Sequence, residues 1–202
     1  IGHDRMAELF AEAGVETPAV LTEGGEFYRA EGSTLEVRHA GGGYHPVSLP
    51  EGVMRFHMTR RTLTPITANN SASLFALEGD LRLVEFHSKA NALTDESMEI
   101  VAAAAADHGK GIIIHNDAQH FSAGVDLNAF RAYIEAEDWD GIDGFLDRFQ
   151  KAVCALKYTP VPVVGAPSGL AAGGGYEVLA HCDRLVVHTN SVMGLVEAGV
   201  GV

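Results

Sequence analysis

Residues 171–178, AAGGGYEV, place three consecutive glycines one tyrosine ahead of a glutamate, shortly after the apolar run VPVVGAPSG. A chain with that much bare backbone at one point must bring something close to it, either a packed neighbour or a ligand. A helix that starts there presents N–H groups without internal partners at its electropositive end, and glycine lets an anion approach them. Gly174 is the natural donor. Tight helix–strand packing would need the same glycines for steric reasons alone. The triplet is not a dinucleotide fingerprint, because with Gly169 it does not make G-x-G-x-x-G, and no phosphate-loop G-K-[ST] follows.

Two carboxylates extend this signal. Glu177 falls in the first turn of the inferred helix, where the dipole favours an acid. Its neighbours Tyr176, Val178, Leu179 and Ala180 predict a covered turn, and a covered carboxylate has a raised pKa suited to proton transfer. Glu197 stands alone in MGLVEAGVGV, with no charged residue within five positions on either side. Two acids in dry surroundings can hold one water between them, one taking its proton and the other giving one. Two unrelated glutamates with structural partners are the alternative. In HFSAGVDL, 120–127, small Ser122, Ala123 and Gly124 allow close approach of a ligand, and Asp126 can brace the turn. Val125 would then present its N–H, and with Gly174 it would make an oxyanion hole.

The balance of the chain narrows the partners. A formal net charge of −13 over 202 residues repels polyanions, and no basic run offsets it, so neither nucleic acid nor an anionic membrane surface is expected. No apolar run reaches the roughly 18 residues of a membrane span. Cys154 and Cys182 make no disulfide framework or zinc spacing; both read as buried thiols in a reducing, cytoplasmic compartment. The ten histidines show no metal-ligand spacing and read as ordinary polar residues, so no metal is expected. Trp139 reads as a packing anchor. The start at isoleucine and the apolar end GLVEAGVGV predict an excised piece of a longer protein.

Local signals give the organisation. Residues 1–14 predict an amphipathic helix capped by Asp4 and ended by Gly14, with Met6, Leu9 and Phe10 on one face. Residues 15–66 carry short extended runs, EFYRA and TLEVRH, among glycines, and can bury little by themselves. SLFALEGDLRLVEF predicts a hairpin turning at Gly79 and Asp80. LTDESMEIVAAAAADHG predicts a helix from a Thr94 cap to Gly109, and GIIIH a strand covered on both faces. A helix over 142–157, a strand over 161–165, a helix from the triplet and a strand in RLVVHT follow. The alternation implies an α/β fold with helices packed on sheet.

The ordered set HSKANAL, HFSAGVDL, SGLAAGGGYEVLAHCD and MGLVEAGVGV resembles the enoyl-CoA hydratase/isomerase (crotonase) superfamily over residues 67–202. In the hydratases of that family one glutamate follows the glycine triplet after a single residue and another comes 20 positions later; here 197 − 177 = 20. The resemblance implies a crotonase-like spiral of repeated β-β-α units, truncated at its C-terminus, because the family continues with a glycine-rich turn and C-terminal helices. It implies that Ser88, Lys89, Ala90 and Ala92 line an acyl-CoA groove with Ala123, Gly124, Asp126, Leu127 and Gly173, Lys89 meeting a CoA phosphate. Val125 and Gly174 would donate to the thioester oxygen, with valine where the family often has a smaller residue. Glu177 would act as base and Glu197 as acid in adding water to a trans-2-enoyl-CoA, in fatty acid β-oxidation. A double-bond isomerase, or a non-catalytic CoA-thioester-binding module, are the alternatives. A family-type homotrimer is implied for the full-length protein. Residues 1–66 resemble the end of the 3-hydroxyacyl-CoA dehydrogenase portion of bifunctional β-oxidation enzymes. The chain has no Rossmann fingerprint, so no cofactor is expected in this segment, and NAD would belong to a dehydrogenase part outside it.

Overall fold

Local sequence rules account for most of the elements in the computed structural model, which describes residues 2–22 and 25–199. The chain divides between Thr62 and Leu63 into two compact units.

The first unit holds helices α1 (His3–Glu12), α2 (Ala19–Thr22) and α3 (Phe56–Thr59) and a three-stranded antiparallel sheet of β1 (Tyr28–Glu31), β2 (Thr34–Arg38) and β3 (Tyr44–Pro46), in the order β1-β2-β3. The extended runs at 26–38 thus become a hairpin. Its exposed face is laced by the Arg29–Glu36 ion pair and by the Arg29 guanidinium 4.2 Å above the Tyr44 ring. Asp4 does not cap α1: the helix begins two residues earlier than that cap requires, with Gly2 as its cap, and Asp4 sits inside the first turn, where the dipole still favours it. Among the described residues of this unit, Leu21, Phe56 and Met58 are the buried apolar ones.

The second unit is built on a six-stranded sheet, order β10-β8-β7-β6-β5-β4, from β4 (Thr67–Ala68), β5 (Ala72–Leu77), β6 (Leu81–Phe86), β7 (Gly111–Ile114), β8 (Val163–Gly165) and β10 (Arg184–Leu185). Strands β6, β7, β8 and β10 run parallel, so the connections between them must cross over, and helices supply them. The β5–β6 hairpin turns at Gly79 and Asp80, both at positive φ as the turn chemistry requires. Helix α4 (Asp95–Ala106) starts with a reciprocal cap between Thr94 and Ser97, worth about 1 kcal/mol.

Helices α5 (Leu127–Glu135) and α6 (Trp139–Lys157) follow β7, and α6 packs Phe145, Phe149, Ala152, Val153 and Leu156 against α4 and the sheet. The predicted helix 142–157 therefore begins three residues earlier, and α5 had no counterpart in the sequence reading. RLVVHT forms a strand only at Arg184–Leu185, because β10 is an edge strand with one neighbour and its next residues lie exposed. Trp139 is no anchor: it opens α6 and is 61% exposed. Cys154 is exposed, not buried; Cys182 is half-buried, and burial pushes its thiol up to about 12. Among the described residues no helix is long and apolar enough to cross a membrane.

Candidate active site

A second, two-stranded parallel sheet forms the site's frame. In it β9 (Leu170–Ala172) pairs with β11 (Val192–Gly194), and helix α7 (Gly174–Ala180) springs from the end of β9. Gly173 donates to the Gly194 carbonyl at 3.0 Å, so β11 delivers the turn Glu197–Gly199 over the glycine triplet. Gly173 has φ +49 and ψ −122, and a Cβ there would stand 2.8 Å from Glu197 Oε1. The backbone conformation calls for glycine, and a side chain there would also push the Glu197 carboxyl aside. The triplet thus serves close approach of a carboxyl group as well as packing; a Cβ on Gly175 would strike Ser122 Cβ at 2.7 Å.

The turn after β7 lies alongside. Ser122 forms a parallel bridge to Ala171 and Val125 one to Leu93. The second bridge uses Leu93 N–H to Gly124 O at 2.8 Å and Asp126 N–H to Leu93 O at 2.9 Å, which turns the amide of Val125 itself the other way. The N–H groups of Val125 and Gly174 find no acceptor among the described residues. Their segments touch: a Cβ on Gly124 would lie 3.6 Å from Gly174 N, and one on Gly174 would meet Val125 Cγ2 at 2.9 Å. The valine side chain therefore covers the triplet from the α6 side, beside Phe149.

Residues 88–92 make the third wall. Ser88 Oγ donates to Ala92 O at 2.6 Å, which commits that hydroxyl to the turn. Ala90 and Asn91 both have left-handed backbone, and Ala90 O accepts from Ala123 N–H at 3.2 Å. Lys89, Ala90 and Ala123 are exposed, Ala92 and Asp126 half-buried, Gly124 and Gly173 buried, and Leu127 is 77% exposed. Asp126 accepts from Asn128 N–H at 2.9 Å and caps α5, the bracing role expected of it. The buried hydroxyl of Ser122 ties the walls together: it donates to Asn91 O at 2.7 Å and accepts from Gly124 N–H at 3.1 Å.

The two carboxyls differ in surroundings. Glu177 is exposed, contrary to the covered turn expected, because α7 buries the stripe Gly174, Gly175, Val178 and Leu179. Partial desolvation still raises its pKa, and the charge of Glu197 raises it further, against the lowering effect of His181. Glu197 is half-buried, with Oε2 fully buried and without a hydrogen-bond partner among the described residues. A buried acceptor left unpaired is held at a cost that structural roles avoid. Apart from these, a cavity of about 740 Å³ in the first unit, lined by Leu35, Val47, Leu49, Met54 and Met58 among others, has no carboxylate in its wall. The pairing of His115 with Asp117 was not foreseen from sequence.

A split sheet, a turn that frees one amide and a glycine-started helix that frees another define a crotonase-fold protein. The Enoyl-CoA hydratase/isomerase family matches residues 81–202, and the chain belongs to that family. A Bacillus subtilis protein named "Probable 3-hydroxyacyl-CoA dehydrogenase" is 32% identical over the whole chain, which spans 26% of that protein's length. The "Fatty acid oxidation complex subunit alpha" of Idiomarina loihiensis is 32% identical over 47% of the chain and 13% of its own length. Among solved structures, Pseudomonas aeruginosa DspI aligns with TM-score 0.60 at 25% identity, over 68% of this chain and 53% of that one. An enoyl-CoA hydratase from Polaromonas sp. JS666, at 22% identity, aligns over 65% and 53% with the same TM-score and shows the fold alone.

Proposed function

We propose that this chain is the enoyl-CoA hydratase part of a longer enzyme that also carries 3-hydroxyacyl-CoA dehydrogenase activity. The observation that carries the reading is the buried Oε2 of Glu197, which, like the Gly174 amide of the triplet beneath it, has no partner among the described residues, and which acts electrostatically on Glu177. A water held between the two carboxyls would lose a proton to Glu177 as its oxygen bonds to the β-carbon of a trans-2-enoyl thioester. The electron pair of the double bond moves toward the carbonyl oxygen, where the Val125 and Gly174 amides stabilise the charge, and Glu197 returns a proton to the α-carbon. An oxyanion donor of this kind is worth about 2.7–4 kcal/mol, because it acts more strongly on the transition state than on the ground state.

In this reading Ser88, Lys89, Ala90 and Ala92, with Ala123, Gly124, Asp126, Leu127 and Gly173, border the acyl-CoA groove. Lys89, exposed at the rim, meets a CoA phosphate. The relative matched through the first unit supports a dehydrogenase-derived origin for residues 1–66, NAD being bound elsewhere in such an enzyme. A cytoplasmic homotrimer is the assembly proposed for the full-length protein.

Hydration of crotonyl-CoA, followed by loss of the enoyl-thioester absorbance, tests this. Glu177→Gln is expected to lower turnover at least about a hundredfold with acyl-CoA binding retained. Unchanged turnover removes Glu177 from the mechanism. Binding without turnover in the wild type turns the reading to an isomerase or a binding module.

A further inference from the structure

His115 stands just past the end of β7, with Nδ1 2.8 Å from the Ala166 carbonyl oxygen and Nε2 3.0 Å from Asp117 Oδ1. A carbonyl and a carboxylate oxygen both only accept, so the ring can satisfy the two at once only as an imidazolium, with each nitrogen donating. The pair is sheltered, with the two side chains 26% and 23% exposed. Its two acceptors lie on different loops. Ala166 precedes the Pro167–Gly169 turn that leads through β9 to Gly174, whereas Asp117 lies on the segment that leads through Phe121 to Val125. The same loops touch again where Leu170 N–H donates to His120 Nδ1 at 3.1 Å and Ser122 N–H donates to Leu170 O at 3.0 Å.

Resting on the hydration reading, we propose that His115 is a positioning residue: its protonated ring holds the loop of Val125 in register with the loop of Gly174, and loss of the proton loosens both. A neutral imidazole has one N–H, so one of the two bonds must lapse and leave a lone pair facing an acceptor. The charged groups acting on the ring are Asp117 and Glu85, the latter beside it across β6 and β7. Further along that row Ser73 and His87 share a hydrogen bond of 2.8 Å. The Asp117 bond raises the His115 pKa most; burial opposes it, and the Ala166 bond and Glu85 add to it. A raised folded value means that the bracing is complete below the ordinary 6.5 and fades as pH rises through the raised value. Hydration therefore has a limb, lost as pH rises above 6.5, that belongs to His115.

The test compares crotonyl-CoA hydration across neutral and alkaline pH for wild type, His115→Gln and Asp117→Asn, alongside nitrogen NMR of the His115 ring. The wild-type limb should coincide with the ring's titration, and Asp117→Asn should move both toward acid. His115→Gln should lower kcat about tenfold with KM little changed, and should lack the limb. A ring that titrates at or below the ordinary 6.5, or a limb that survives His115→Gln, overturns the proposal and leaves hydration standing. A wild type without turnover sinks the hydration reading itself, and the positioning role with it.

Discussion

Replacing Glu197 by glutamine should raise stability while abolishing hydration. Its Oε2 is buried without a hydrogen-bond partner among the described residues, and its Oε1 lies against Gly173, so the fold holds this carboxyl close to a second acid, Glu177. An unsatisfied buried group is unfavourable by about 1–3 kcal/mol, more when charged. The side chain is only half-buried, and the amide would still leave one polar atom unpaired. The expected gain is therefore at the low end, about 1 kcal/mol, or roughly 2–4 °C in Tm for a chain of this size. Hydration should meanwhile fall by about 10² to 10⁴ if the proton to the α-carbon comes from this residue. Thermal unfolding followed by circular dichroism, with the crotonyl-CoA assay on the same preparation, reads both quantities. A lower Tm would mean that Glu197 has a structural partner, and retained turnover would mean that it moves no proton; either result refutes the reasoning.

Two further outcomes follow from the same contacts. Ser122→Ala strips the acceptor from the buried Gly124 N–H and the donor from Asn91 O, so it should destabilise by about 1–3 kcal/mol in thermal unfolding and lower kcat more than it raises KM. The raised pKa of Glu177 places the acid limb of kcat/KM above the ordinary 4.5: turnover by a base is lost as pH falls through the raised value, and carboxyl NMR should show the Glu177 titration moving toward acid in Glu197→Gln. An acid limb at or below 4.5 would count against Glu177 as the base.

What the sequence determined by itself is whatever near neighbours decide. The Gly79–Asp80 turn, the Thr94 cap and the bracing of Asp126 rest on contacts a few residues apart, where propensity and capping act alone, and the apolar run Gly111–Ile114 showed its strand by its composition. The ordered motifs likewise singled out the glycine triplet, the Val125 turn and the two acids 20 positions apart. Tertiary structure alone decided what those residues meet. That Glu177 is exposed, that Glu197 has an orphan oxygen over Gly173, and that His115 bonds Ala166, 51 positions away, all depend on how β9, β11 and the turn after β7 converge. The same holds for the Ser122 hydroxyl joining two walls and for Trp139, whose bulk suggested burial but whose helix end faces water. A residue's type fixes which hydrogen bonds and charges it can offer; which of them are satisfied, desolvated or left facing a like charge is set by residues distant in sequence, through the path of the chain.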